Sequence, residues 1–111
     1  MTSSIPPITK CKNKDGAVEY HIEADPAWDG LDSLVRYLQK YWQAEVSESS
    51  DGVYSRRWVL HASGVPITIY HDSQIGNFFV REDGCNDQSL LEKIEADLTR
   101  RLADPATADP E

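Results

Sequence analysis

Residues 54–81 read YSRRWVLHASGVPITIYHDSQIGNFFVR and hold the pattern that decides the fold. Apolar and polar residues alternate through three segments, which is the period of half-buried strands. Ser63-Gly64 and Asp72-Ser73-Gln74 separate these segments with the small and polar residues that favour turns. The stretch therefore predicts an antiparallel meander of three strands, over residues 54–62, 65–71 and 77–82.

The short Ser63-Gly64 turn also predicts which residues of the first two strands face one another. Three apolar pairs result: Leu60 with Ile67, Trp58 with Ile69, and Ala62 with Val65. Because opposed residues share a face of the sheet, the apolar side chains of both strands fall on one side. We expect Trp58 to belong to the core on that side.

A hairpin, a helix and a short strand precede the meander. Residues 8–12 and 18–23 flank the turn sequence NKDG at 13–16 and predict the hairpin. From 31 to 42, apolar residues recur at steps of three and four, which is the spacing of an amphipathic helix of about 14 residues. Residues 44–48 are expected to form a short strand before the meander begins.

A second helix follows the meander. Asn86 or Asp87 is a suitable N-cap, and Leu91, Ile94 and Leu98 form an apolar stripe. Because each helix has one apolar side, we expect both to pack on the apolar face of the sheet. The predicted fold is α+β, with a single antiparallel sheet of four to six strands and two helices on one face, in the order ββαβββα.

The length of 111 residues corresponds to one domain. We expect residues 1–102 to form it, with residues 1–7 as a flexible lead-in because they are mostly polar and end in two prolines. Residues 103–111 are small, acidic and proline-containing, which is a composition typical of disordered tails.

The net charge of −8 is concentrated towards the C-terminal end. Residues 82–111 hold nine of the 19 acidic residues and three of the 11 basic ones. Such a surface repels phosphate backbones, so nucleic-acid binding is not expected. An acidic surface suits a basic protein partner instead. Glu92 and Glu95 on the second helix are candidates for that contact.

The cysteines and the hydropathy pattern indicate a cytoplasmic protein. Cys11 and Cys85 have no metal-binding or redox spacing, and we expect them to be buried or half-buried reduced thiols. No apolar run approaches the ~20 residues that span a bilayer, and residues 1–10 lack a signal-peptide pattern. We expect a monomer or homodimer, with no cofactor and no membrane attachment.

The polar face of the meander holds the other candidate binding residues: Arg57, His61, Thr68, Tyr70 and Asp72. Arg57 and Tyr70 are opposed in the register above, which predicts a cation–π pair. His61 and His71 point to opposite faces and lie about 16 Å apart at ~3.3 Å per residue. They therefore cannot share a metal ion.

No catalytic motif accompanies these residues. The sequence has no Gly-x-Ser-x-Gly elbow, no phosphate-binding glycine loop and no histidine adjacent to Cys11. His21 lies between two glutamates on the wet side of its strand and is interpreted as a surface histidine. The chain is therefore interpreted as a binding protein rather than an enzyme.

In size, negative charge and α+β architecture, the chain resembles bacterial immunity proteins, which neutralise a toxin by covering its active site. The resemblance implies a protein-binding module directed at a basic partner. It extends over the whole chain but includes no shared motif, so it assigns no role to any residue. Two alternatives remain open: a small-ligand binder that uses the polar face of the meander, and a domain that self-associates through a sheet edge.

Overall fold

Alternating segments form strands and amphipathic segments form helices in the computed structural model, which describes residues 7–103. The elements follow in the order β1 (Ile8–Lys12), β2 (Val18–Ile22), α1 (Gly30–Trp42), β3 (Glu45–Asp51), β4 (Ser55–Ala62), β5 (Val65–Asp72), β6 (Gly76–Val80) and α2 (Ser89–Ala103). The predicted α+β class is confirmed, but residues 7–103 have four strands between the helices, β3 to β6, where the predicted order ββαβββα has three. Within this part of the chain, neither helix has the length and hydropathy needed to cross a bilayer.

All six strands belong to one sheet with the order β1-β2-β6-β5-β4-β3, and every neighbouring pair is antiparallel. From β2 the chain passes through α1 to the far edge at β3. The meander then returns across the sheet, so that β6 pairs with β2. β4 and β5 have the predicted register, with Leu60 opposite Ile67, Trp58 opposite Ile69 and Ala62 opposite Val65.

Both helices pack on the apolar face of the sheet. The buried cluster between the layers includes Ile8, Tyr20, Ile22, Leu60, Ile67, Ile69 and Phe79 from the sheet, Leu31, Leu34 and Leu38 from α1, and Leu91, Ile94 and Leu98 from α2. Trp58 lies on the same face but is only half-buried, and its indole nitrogen donates to Asp51 of the exposed edge strand β3 at 2.9 Å. Trp58 is therefore a marginal rather than a central core residue.

The expectations for the chain ends fall mostly outside the described residues. Of the lead-in 1–7, the structure describes Pro7, whose carbonyl accepts hydrogen bonds from the backbone of Glu23 and Ala24 at 2.8 and 3.3 Å. Of the tail 103–111, it describes Ala103, which ends α2.

Cys11 and Cys85 are free and exposed, so the prediction of buried or half-buried thiols was wrong. Cys11 lies on the edge strand β1, and Cys85 lies in the loop between β6 and α2. Neither position is enclosed by the helix layer.

A buried arginine joins the sheet to the start of α1. Arg56 has the strand parity of Trp58 and so points to the helix-covered face, where its side chain is 5% exposed. Its guanidinium donates to both carboxylate oxygens of Asp32 at 2.8 and 2.9 Å, to Asp51 at 2.8 Å and to the Trp28 carbonyl at 3.0 Å. The indole ring of Trp28 also lies 4.8 Å from the guanidinium carbon. These contacts join β3, β4, α1 and the loop before α1.

Asn77 on β6 holds the loop before α1 through hydrogen bonds. Its amide nitrogen donates to the carbonyls of Asp25 at 2.7 Å and Ala27 at 2.9 Å, and its amide oxygen lies 2.9 Å from Nδ1 of His71. A Cβ on Gly30 would lie 2.5 Å from the Asn77 nitrogen. The first residue of α1 can approach β6 this closely only because it has no side chain.

This close approach reverses the usual effect of alanine in a helix. Alanine normally stabilises a helix over glycine by about 0.5–1 kcal/mol. We expect Gly30→Ala to lower the free energy of unfolding by about 1–3 kcal/mol, because the added methyl displaces Asn77 from buried hydrogen bonds. Denaturant titration measures the change, with Ser33→Ala at an exposed position of α1 as the control. A Gly30→Ala protein as stable as the wild type would contradict the packing argument.

Replacing Arg56 tests the anchor at the start of α1. We expect Arg56→Met to lower the free energy of unfolding at pH 7 by about 2–4 kcal/mol, since two carboxylates and a carbonyl lose their donor. The neighbouring Arg57→Met is the matched control, and its exposed ion pair should contribute less than about 1 kcal/mol. Equal losses in the two variants, measured by denaturant titration, would rule out a special role for Arg56.

The contribution of Arg56 should also depend on pH. Hydrogen bonds from Arg56 hold the pKa values of Asp32 and Asp51 below their ordinary value of 3.8. Since the folded-state values are depressed, the stabilisation is complete well above that value and is lost as the pH falls through the folded-state pKa values. The stability difference between wild type and Arg56→Met should therefore shrink between pH 7 and about pH 3. A constant difference across this range would contradict the assignment.

Candidate functional site

Among residues 7–103, no helix covers the side of the sheet opposite α1 and α2, which we term the open face. The period of two in each strand places on it the residues that alternate with the core residues. On β4 and β5, three pairs share this side: Arg57 with Tyr70, Val59 with Thr68, and His61 with Pro66.

A row of side chains crosses the open face. His21 on β2 is opposite Phe78 on β6, and Phe78 is opposite Tyr70 on β5. The rings are stacked, with centroid distances of 4.6 Å for His21 and Phe78 and 5.1 Å for Phe78 and Tyr70. Arg57 on β4 continues the line and forms a 3.2 Å ion pair with Glu48 on β3. His21, Phe78 and Tyr70 are termed the aromatic row.

The contact between Arg57 and Tyr70 is a hydrogen bond rather than the expected cation–π pair. Arg57 Nε donates to Tyr70 Oη at 3.4 Å, and Tyr70 Oη lies 2.9 Å from both carboxylate oxygens of Glu82, to which it donates. Burial raises the pKa of Tyr70, and Glu82 raises it further against the opposing effect of Arg57. The hydrogen bonds to Tyr70 and Glu48 raise the pKa of Arg57. The phenol is therefore neutral and the guanidinium charged at neutral pH.

Carboxylates surround the aromatic row. Strand parity and hydrogen bonding place six on the open face: Glu19, Glu23, Glu45, Glu48, Asp72 and Glu82. Arg57 lies among them and is already paired with Glu48. The open face therefore has an aromatic centre and a negative rim.

The five meander residues predicted as a recognition surface share the open face but differ in accessibility. Arg57 and His61 are exposed, and Tyr70 is half-buried. Thr68 is only 3% exposed and offers a partner almost no surface. Asp72 accepts hydrogen bonds from two backbone N–H groups of the following turn, at 2.8 and 3.2 Å, and so has a structural role as well.

Glu92 and Glu95 lie on α2, in the helix layer on the other side of the sheet. Burial and these two glutamates raise the pKa of Tyr20 to about 12. The Tyr20 hydroxyl donates to Gln88 at 3.1 Å. A partner that rests on Arg57 cannot reach Glu92 and Glu95 with the same surface, so the candidate residues belong to two separate sites.

The two histidines of the meander are separated as predicted. His61 is exposed opposite Pro66, whereas His71 is buried opposite Arg56. The His71 ring lies edge-on to Trp28 with a centroid distance of 5.4 Å. His71 is therefore part of the buried polar contacts beside α1 and is not available for binding.

A different group of potential ligands meets on the β1–β2 hairpin. Cys11 is opposite Glu19, and His21 lies two residues further along β2 on the same side. One donor atom from each side chain lies within 4.8 Å of the others. The three residues are not neighbours in the sequence, and no histidine is adjacent to Cys11. Only the hairpin register brings them together.

The thiol of Cys11 is not an activated nucleophile. Partial desolvation and the carboxylates of Glu19 and Glu23 raise its pKa, so the neutral form predominates at pH 7. Catalytic cysteines require the opposite shift, because the thiolate is the reactive species.

One open cleft lies beside the open face and another lies in the helix layer. A polar cleft of about 760 Å³ lies at the β1–β2 turn, bordered by Asn13, Arg57 and Glu82. A groove of about 650 Å³ runs between the helices and is lined by apolar residues such as Leu34 and Leu98. Both are large enough for a small ligand.

Comparison of the chain with protein-family models, curated proteins and solved structures gave no match. Function must therefore be inferred from the geometry of the open face.

Proposed function

We propose that the protein is a non-catalytic binding module that docks a basic protein partner on its open face, in the manner of an immunity or inhibitor protein. The observation that supports this proposal is the arrangement of the aromatic row inside a rim of carboxylates. Protein interfaces commonly combine an aromatic centre that is poor in charge with a polar rim. The open face has this arrangement across the middle of the sheet.

The aromatic row is ordered before a partner arrives. Phe78 stacks between His21 and Tyr70, and the Tyr70 hydroxyl is held between Arg57 and Glu82. Binding to such a surface immobilises few side chains, which reduces the entropic cost of association. A partner would gain apolar contact with the rings without reorganising them.

The rim favours a basic partner. Its carboxylates attract cationic side chains, accelerate encounter and disfavour acidic surfaces such as nucleic acid. Arg57 weakens this preference little, because it offsets the charge of only one of the six carboxylates, Glu48, with which it pairs. An inhibitor that blocks a basic enzyme by covering it needs no reactive group of its own, which agrees with the neutral thiol of Cys11.

The alternatives have weaker physical support. Self-association through two β3 edges would bring the acidic side chains of one edge, such as Glu45 and Glu48, close to acidic side chains of the other, and like charges across a strand pair are destabilising. The small-ligand alternative is supported by the polar cleft beside Arg57, which is open to solvent. A single basic partner accounts for both the aromatic row and its rim.

A pair of charge-reversal variants tests the docking surface. Glu48→Lys/Glu82→Lys changes the open face, and Glu92→Lys/Glu95→Lys changes α2 by the same net charge. The wild type and the α2 variant should capture the same basic protein from an extract of the native host, and its affinity should fall as salt is raised. With the purified partner, calorimetry should show binding to the open-face variant weakened by more than about 100-fold, because like charges then oppose each other across the interface.

Because both double variants change the net charge equally, comparing them distinguishes binding at a specific surface from a general electrostatic attraction. Equal weakening in both variants would show that only net charge matters, and unchanged binding of the open-face variant would move the interface elsewhere. Recovery of nucleic acid instead of a protein would also contradict the proposal. Circular dichroism and denaturant titration confirm that each variant is folded.

A further inference from the structure

Three different donor groups converge at the β1 side of the open face. Cys11 lies directly opposite Glu19 on the paired strand, and His21 follows on the same side of β2. Glu19 Oε1 lies 3.8 Å from Cys11 Sγ and 2.9 Å from His21 Nε2. The three donor atoms all lie within 4.8 Å of one another. Thiol, carboxylate and imidazole are the side chains that bind zinc in proteins.

We propose that Cys11, Glu19 and His21 bind a divalent metal ion, with Zn²⁺ as the best match to their donors. Tetrahedral Zn²⁺, with bonds of ~2.0–2.3 Å, separates nitrogen, oxygen and sulfur ligand atoms of this set by about 3.3–3.6 Å. The observed distances lie on either side of that range, so small side-chain rotations would complete the geometry. A sulfur and a nitrogen ligand select against Mg²⁺ and Ca²⁺, which prefer oxygen. Water would occupy the fourth position.

Neighbouring residues orient two of the three ligands. Asn13 Nδ2 donates to Glu19 Oε2 at 3.2 Å, which leaves Oε1 to face Cys11 and His21. The His21 ring stacks on Phe78. Asn13 Oδ1 also accepts two backbone N–H groups of the β1–β2 turn and thereby stabilises the hairpin that sets the register. Such supporting contacts are a regular feature of metal sites in proteins.

The charges of the ligands match those of the ion. A thiolate and a carboxylate neutralise one divalent cation, and His21 binds as a neutral ring. On binding, the Cys11 thiol releases its proton to solvent, and the imidazole carries its remaining proton on Nδ1. The site requires no basic protein partner, so it stands independently of the docking proposal.

Cobalt is the probe for this site, because Co²⁺ follows zinc coordination and is coloured. Titration of the full chain with Co²⁺ under reducing conditions should give one equivalent of binding, with a thiolate-to-metal charge-transfer band that Zn²⁺ abolishes by competition. Cys11→Ser and His21→Ala should each weaken binding by more than about 100-fold, since loss of a mere supporting residue already costs 10–100-fold. Glu19→Gln should weaken it as well.

The chain provides matched controls. Cys85→Ser removes the other exposed thiol, and His61→Ala removes the other histidine of the open face, so both should bind Co²⁺ like the wild type. Absence of the thiolate band, its persistence in Cys11→Ser, or its loss in Cys85→Ser would overturn the proposal. Cys11→Ser leaves the carboxylates and the aromatic row intact, so it should still bind a basic partner, and this outcome separates the two proposals.

Discussion

The guanidinium of Arg56 is the constraint on which the arrangement of the layers depends. A cation that is 95% removed from solvent costs several kcal/mol unless opposite charges and acceptors surround it. Three groups from different elements offset this cost by accepting its hydrogen bonds: Asp32 on α1, Asp51 on β3 and the carbonyl of Trp28 in the loop before α1. An apolar contact would tolerate several packings of α1 on the sheet, whereas this bidentate contact permits one position of its first turn.

The polar contacts continue from Arg56 along the same end of the sheet and determine where function can reside. His71 and Asn77 lie on the helix-covered face, and the Asn77 amide holds the loop before α1. These groups would suggest an active site if they were considered by residue type alone. The Asn77 amide and His71 Nδ1 are occupied by hydrogen bonds within the fold, so neither is available to a ligand, whereas the open face presents accessible polar side chains.

Alternation and turn chemistry were sufficient to predict the fold class and the β4–β5 register, because these depend on local periodicity, whereas the predicted order ββαβββα has one strand fewer between the helices than the structure. The same parity places Arg56 beside Trp58 on the covered face, but its partner Asp32 is 24 residues away, and no local pattern identifies it. Parity also placed Arg57, His61 and Tyr70 on the open face. Parity could not predict that Cys11 lies opposite Glu19. The turn after β1 is longer than the Ser63-Gly64 turn and leaves the hairpin register undetermined.

The two proposed activities of the open face share His21 and Glu19 without excluding each other. Without metal, Glu19 carries one negative charge and the Cys11 thiol is neutral; with a divalent ion and a thiolate, the site as a whole is neutral. Metal binding therefore removes at most one unit of negative charge from the edge of the rim, and Glu45, Glu48, Asp72 and Glu82 keep theirs. It would also fix the His21 ring against Phe78. The metal would thus cost the open face little electrostatic attraction while making one end of the aromatic row more rigid.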